Sequence, residues 1–238
     1  MQRYFTNNKE NDVLILSNDD SYHIGKVMRM GPNDKIEVVY NNNLYLGELI
    51  EIYPETKAKI IKKIEEENEL LSHITIVQSL VKEQKMDYIL QKTTELGVSE
   101  IIPYQATRSI IKLDNKLDKK IERWHKILKE ASEQSKRTTI PIIHQPMTLS
   151  NLVKLSDYDI KILCTVNENS QNIKKILSKA NRNVKMLFVI GPEGGFTKEE
   201  EEKFIENGFI SASLGNSVLR TETASVFIMS VIRYLDME

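Results

Sequence analysis

The sequence predicts an α/β protein in which a small β-rich module precedes a larger domain of parallel strands and crossover helices. Three observations carry this. Short strand-like runs broken by turns fill the first sixty or so positions, and apolar runs alternate with helical periodicity from Ile74 onward. Near the C-terminus, two backbone-permissive loops each leave an apolar run and enter a helix. With 238 residues and 40% hydrophobic content, the chain can furnish the core of two modest domains or one large one.

In order along the chain, Val13-Leu14-Ile15-Leu16, Lys35 to Tyr40, Leu44 to Ile50 and Lys57 to Ile61 read as strands of an antiparallel, barrel-like module. Asn41-Asn42-Asn43 predicts a hairpin because Asn tolerates positive φ, and Gly31-Pro32-Asn33-Asp34 marks another turn. The charged run Lys62 to Glu69 ends the module, so the boundary is placed there, with domains at 1–69 and 70–238.

Beyond it, Ile74 to Val77, Glu100 to Pro103, Ile140 to Ile143, Ile160 to Leu163, Met186 to Ile190 and Ser211 to Leu214 are the strand candidates. Met86, Ile89, Leu90, Thr93 and Leu96 form one helical stripe that Gly97 closes in a left-handed cap. Thr197-Lys198-Glu199-Glu200 spells a capping box, so a helix starts just after the first glycine loop and Gly208 closes it.

Composition excludes several classes. The net charge of −1 argues against a protein that coats nucleic acid indiscriminately. The segment Arg108 to Arg137 is locally basic, with ten cations against five acids, which fits either RNA contact or a solvated helix face laced with ion pairs. Cys164 stands alone, ends an apolar run and reads as a buried strand thiol. The four histidines, His23, His73, His125 and His144, lack metal-ligand spacing, so neither a disulfide nor a metal is expected. No apolar run approaches the roughly 20 residues needed to cross a bilayer. No basic stretch leads into an apolar one at the N-terminus, and a cytoplasmic location is the expectation.

The chemistry concentrates in Ile190-Gly191-Pro192-Glu193-Gly194-Gly195-Phe196 and Leu214-Gly215-Asn216-Ser217-Val218-Leu219-Arg220-Thr221-Glu222-Thr223-Ala224. The glycines let a ligand approach bare amides and Pro192 stiffens the turn, although the loop by itself equally fits a plain strand-to-helix connection. It is neither a Walker loop nor a Gly-x-Gly-x-x-Gly fingerprint, and Glu193 would repel a polyphosphate. Arg220 is a cation at the positive end of a helix dipole, an unfavourable placement that an acid or a substrate anion must answer.

With these loops, Arg3 and Phe5, His23 to Arg29, Lys92 to Gly97, Thr107-Arg108-Ser109 and Glu133 to Arg137 make the whole chain resemble the RsmE family of ribosomal RNA methyltransferases in the SPOUT superfamily. The segment Tyr22 to Arg29 departs from the family pattern, which often has a second histidine and more aliphatic residues there. The resemblance implies a PUA-like β-barrel followed by a SPOUT α/β domain whose C-terminal loops form a trefoil knot. It also implies a homodimer that binds S-adenosylmethionine in the knot and methylates N3 of a uridine in 16S (small-subunit) ribosomal RNA, on the assembled 30S particle.

For the cofactor, the resemblance points to three loops. They carry Thr165 and Val166; Gly191, Pro192, Glu193 and Gly194; and Leu214, Gly215, Val218 and Leu219. Main-chain amides would hold the cofactor's edge while Leu214, Val218 and Leu219 face adenine. Given that reaction, the residues themselves suggest Arg220 as an electrostatic stabiliser, with Glu222 or Glu193 as proton acceptor. For RNA the resemblance suggests Arg3, Phe5, His23, Arg29, Arg108, Gln134 and Arg137. The first module carries nine cations against twelve acids through Asn68, so it should read a particular RNA shape instead of grasping any RNA. Two rival readings remain: a ribose 2′-O-methyltransferase of the same fold, and a catalytically silent RNA-binding assembly factor.

Overall fold

The computed structural model describes residues 1–66, 68–111, 117–167 and 170–237. Glu67 of the charged boundary run, and Lys112, Asp114 and Lys116 of the basic segment, lie outside the described residues. The chain forms two compact units. One comprises Met1–Glu69 with Lys129–Thr139, the other Leu70–Leu128 with Ile140–Glu238.

The first unit holds strands β1 (Arg3–Phe5), β2 (Asn8–Glu10), β3 (Val13–Ile15), β4 (Lys35–Tyr40), β5 (Asn43–Glu51) and β6 (Lys57–Ile64), in the sheet order β1-β4-β5-β6-β3-β2. The hairpin between β4 and β5 turns on Asn41 and Asn42, both at positive φ (48° and 59°), as the run of asparagines predicts. One pairing departs from the all-antiparallel expectation. β1 runs parallel to β4, because helix α1 (Asn18–Tyr22), a π-helical stretch (His23–Val27) and strands β2 and β3 intervene and carry the chain back to the same end. The sheet curls at Thr6, whose amide donates to Val39 O on β4 and whose hydroxyl donates to Ile15 O on β3, three strands away in the sheet order. Tyr4, Leu14, Leu16, Ile24, Ile36, Val38, Leu49 and Ala58 fill the interior.

Buried charge ties the ends of this unit together. Arg3 is 2% exposed and pairs with Glu37 Oε2 at 2.9 Å, with Glu66, and with the carbonyls of Lys136 and Arg137. Arg137, 4% exposed, donates to Glu69 Oε2 from two nitrogens at 2.7 and 3.0 Å, while the amides of Thr138 and Thr139 donate to Glu69 Oε1. Burial alone would raise the Glu69 carboxyl, but the Arg137 guanidinium and the Thr138 amide outweigh it and hold the group below the ordinary glutamate value.

The second unit is a parallel sheet of β7 (His73–Ser79), β8 (Glu100–Tyr104), β9 (Ile142–Ile143), β10 (Ile160–Cys164), β11 (Gln171–Asn172), β12 (Lys185–Ile190) and β13 (Ile210–Ser213), in the order β11-β13-β10-β12-β7-β8-β9. β9 is shorter than the run Ile140 to Ile143 suggests, and Pro141 explains it by lacking a ladder donor. The helices are α2 (Glu83–Glu95), α3 (Leu117–Gln134, in this unit to Leu128), α4 (Leu149–Leu152), α5 (Ile173–Leu177), α6 (Lys198–Glu206) and α7 (Thr221–Asp236).

Both faces of the sheet are covered, which is why its strands read as continuous apolar runs. Along β12, Met186, Phe188 and Ile190 enter the core that includes Met86, Ile89 and Leu90 of α2 and Ile228 and Met229 of α7. Leu187 and Val189 enter the opposite core, with Phe204 of α6. Gly97 closes α2 at φ 99°, and a side chain there would meet Leu70 at 2.8 Å. Gly208 follows α6 at φ 82°.

Candidate functional site

β10, β12 and β13 are parallel neighbours, with Cys164 beside both Ile190 and Ala212, so the loops that follow them emerge at one edge of the sheet. They enclose a cleft of about 720 Å³. Carboxyl ends of parallel strands are where open α/β sheets hold ligands, and this volume is in the usual range for a small-molecule site. Thr165 and Val166 follow β10, Gly191 to Phe196 follow β12, and Leu214 to Arg220 follow β13; all line the cleft. Every residue singled out for the cofactor therefore meets here, as do Glu193 and Arg220.

The first glycine loop is tightly built. The Gly195 amide donates to Pro192 O at 2.9 Å, and Gly195 sits at φ 66°, where a side chain is strained. A Cβ on Gly191 would stand 3.1 Å from the Phe196 ring, and one on Gly194 would stand 3.2 Å from Arg108 Cβ. Phe196 is anchored edge-on to Phe204. The helix that follows opens with the expected capping box between Thr197 and Glu200. The Glu200 carboxylate also accepts from Tyr104 Oη at 2.6 Å and from the Thr107 amide at 2.8 Å, which binds the Thr107 loop to α6.

A buried polar chain joins this loop to α7. Thr221 Oγ1 donates to Gly191 O at 2.7 Å and accepts from Gln78 Nε2 at 3.0 Å, while Ser225 Oγ donates to Gln78 Oε1 at 2.6 Å. Gln78 and Ser225 are fully buried. Sequence reasoning passed over Gln78, although a polar residue closing an apolar strand run is itself a signal. Buried amides must be partnered, and here the partners are Ser79 O and the first turns of α7, whose Thr221 in turn holds the start of the glycine loop.

The charged groups form a second arrangement. Lys85, on the first turn of α2, reaches the cleft and lies 3.1 Å from Glu193 Oε1 and 3.3 Å from Glu222 Oε2. Only the Glu193 contact has hydrogen-bonding geometry; Glu222 Oε2 is buried and accepts no hydrogen bond. Burial opposes ionisation of Glu193, but its own amide and Lys85 prevail and hold the carboxyl below the ordinary glutamate value. Arg220 is the N-cap of α7, exposed, with a side chain that caps nothing. Thr165 Oγ1 donates to Glu201 at 2.9 Å. Burial pushes the Cys164 thiol up to about 12, which suits the inert strand thiol and not a nucleophile.

The residues suggested for RNA divide differently. Arg3 and Arg137 are buried and occupied by carboxylates and carbonyls of the first unit, so they brace that unit and do not face solvent. Arg108 donates from Nη1 to Gly194 O and Phe196 O, each at 3.1 Å, and lines the cleft, which makes it a support of the glycine loop. Arg29 and Gln134 are exposed; Phe5 and His23 are half-buried, with His23 Nδ1 3.0 Å from Tyr4 Oη. The signal that separates these roles is burial, which a cation's place in the sequence does not show. Among the described residues no group of three or more His, Cys, Asp or Glu side chains is arranged to hold a metal ion, and no helix is long and apolar enough to cross a membrane.

Comparison with known proteins matches two domain models to successive parts of the chain. An RNA methyltransferase domain model matches residues 66–233, and an RNA methyltransferase PUA domain model matches residues 9–63. The chain is similar to ribosomal RNA small subunit methyltransferase E of Bacillus subtilis (strain 168), at 34% identity over 98% of this chain and 96% of that protein. It is similar at 32% identity to the protein of the same name from Mesomycoplasma hyopneumoniae (strain 232), over 97% of this chain and 98% of the other. Among solved structures it is similar to ribosomal RNA small subunit methyltransferase E from Neisseria gonorrhoeae bound to S-adenosyl methionine. There the TM-score is 0.88 and the identity 28%, over 99% of this chain and 98% of that one.

Proposed function

Because the chain belongs to the ribosomal RNA small subunit methyltransferase E family, we propose that its cleft binds S-adenosylmethionine and that it methylates N3 of one uridine in 16S ribosomal RNA. The substrate in this reading is the assembled small subunit, the enzyme is a cytoplasmic homodimer, and the C-terminal loops are knotted. The convergence of three loops on one cleft carries the proposal. The residues present fit the cofactor. Val218, 79% exposed, and Val166, 74% exposed, line the cleft and offer apolar surface to an adenine. Main-chain groups of Gly191 and Gly194 and of the stretch Asn216 to Leu219 would bond its polar edge.

When bound, the cofactor supplies a sulfonium methyl group, and the chain's task is to align the acceptor nitrogen for in-line displacement. The uridine N3 carries an imide proton, so charge grows on the uracil oxygens as that proton leaves. Arg220, exposed at the rim beside the third loop, supplies positive potential where that charge develops. Exposed Arg29 and Gln134 and half-buried Phe5 and His23 are the RNA contacts that this reading retains in the first unit.

Transfer of labelled methyl from S-adenosylmethionine to naked 16S RNA and to assembled small subunits tests the reading. Incorporation into the particles and little into the naked RNA is expected; no incorporation into either would favour a silent assembly factor.

A further inference from the structure

The site needs a group that answers the charge on the uracil ring, and two acids in the sequence look suited to remove its proton. We infer that Lys85 is a further catalytic residue, which donates to a uracil oxygen, and that Glu193 and Glu222 hold its ammonium and do not accept the proton. The inference rests on the uridine methylation reading above.

Geometry separates the three groups. A lysine ammonium has three N–H donors. One is directed at Glu193 Oε1 and another faces Glu222 Oε2, which leaves a third on a side chain that lines the cleft and is 31% exposed. Glu222 is the less accessible acid, with a side chain 17% exposed, and its Oε2 is buried outside the cleft lining. That oxygen faces Lys85 and not the cleft. Glu193 does line the cleft, but its carboxylate already accepts from its own amide and from Lys85, which makes it a poor base. The Glu193 hydrogen bond, with Glu222 in support, holds the Lys85 ammonium above the ordinary lysine value, so it stays charged through the neutral range.

The acids also fix the direction of the remaining donor. Glu193 sits in the glycine loop and Glu222 in the first turn of α7, so the ammonium is held by carboxylates from two different elements. The work is done by an aimed N–H, not by the net charge of the three groups, and Arg220 adds a second cation at the same cleft. In the step, the N3–H bond breaks and its proton passes to solvent water. The N3 electron pair forms the new bond to the methyl carbon, and the sulfur keeps the S–C pair and becomes a neutral thioether. Lys85 and Arg220 stabilise the negative charge while it lasts.

The test compares Lys85→Gln, Glu193→Gln and Glu222→Gln in single-turnover methyl transfer to small subunits at saturating cofactor, from about pH 6 to about pH 10, with cofactor affinity measured by calorimetry. Lys85→Gln is expected to slow transfer about 100-fold at neutral pH, the loss typical of an oxyanion donor, and to recover at alkaline pH as hydroxide removes the proton. Its cofactor affinity should stay within about threefold of wild type, since the inferred contact is with uracil. Glu193→Gln should lose about tenfold or less, because an amide oxygen still accepts from Lys85, and Glu222→Gln should lose no more, because Glu222 accepts no hydrogen bond from Lys85. A loss of about 1,000-fold in either acid variant with a mild effect in Lys85→Gln would overturn the inference in favour of a carboxylate base. Loss of cofactor binding in Lys85→Gln would overturn it too, by making Lys85 a cofactor or framework residue. Lys85→Met repeats the test if the glutamine variant does not fold. A wild type that methylates no RNA sinks the function reading and this inference with it. An active wild type with unaffected Lys85 variants sinks the inference alone.

Discussion

Arg220 is the residue on which sequence and structure bear most directly. A cation at a helix N-terminus costs stability unless something answers it, and in the structure the side chain is exposed at the rim of the cleft and serves no capping role. Arg220→Ala is therefore expected to leave folding and cofactor affinity nearly unchanged while reducing methyl transfer about 100-fold to 1,000-fold, the range for removing one electrostatic stabiliser. Calorimetry and a single-turnover assay read the two effects separately. Unchanged turnover would remove Arg220 from the chemistry. Other single residues were legible only in part: Arg3 and Arg137 looked like phosphate contacts because a cation's sequence context does not reveal burial, and in the structure both are enclosed by carboxylates.

At the scale of elements, the decisive contact is between the end of β7, the start of the glycine loop and the start of α7. Gln78→Ala removes the shorter of the two acceptors of Ser225, which keeps the 3.2 Å contact to Thr221 O, and removes the donor to Thr221 Oγ1, both in buried surroundings. Losing two buried hydrogen bonds costs about 1–3 kcal/mol, so the urea midpoint should fall. Cofactor affinity should fall with it, because Thr221 also fixes Gly191. Unchanged midpoint and affinity would show that the chain of hydrogen bonds does not set the loop. Elements with local signatures were readable in advance: the Asn41-Asn42 turn, the Gly97 cap and the Thr197–Glu200 box each need only neighbouring residues. β1, β2 and β11 were not, since they are two or three residues long and two of them are wholly polar and exposed. Parallel pairing of β1 with β4 and the meeting of Gln78 with Thr221 depend on partners far away in sequence, which periodicity does not encode.

At the scale of the whole molecule, the buried carboxyls set a pH dependence with two opposite parts. Glu37, Glu69 and Glu200 have lowered values in the fold, so their stabilisation is present above the unfolded glutamate value and is lost as pH falls through the folded one. Glu133 behaves in reverse. Burial, with Asp20 adding repulsion against the pull of Lys129, raises it to about 7. The folded state then holds a proton that the unfolded chain has released, and stability declines as pH rises from the unfolded glutamate value toward 7. Glu133→Gln should raise the urea midpoint at about pH 8 and change it little at about pH 5. Equal shifts at both pH values would contradict this assignment. Lys129–Thr139, which carries Glu133 and Arg137, groups with the N-terminal residues and not with the rest of the chain around it. A boundary drawn from composition does not foresee that grouping, because it arises from ion pairs between distant segments.

The central claim is that the cleft at the ends of β10, β12 and β13 directs a methyl group onto a base nitrogen of small-subunit RNA. The most direct test treats small subunits with the enzyme and labelled S-adenosylmethionine, digests the RNA, and locates the label by mass spectrometry. The account predicts a single uridine bearing the methyl on N3. A methyl found on a ribose 2′-oxygen, or on any base other than uracil, would contradict it.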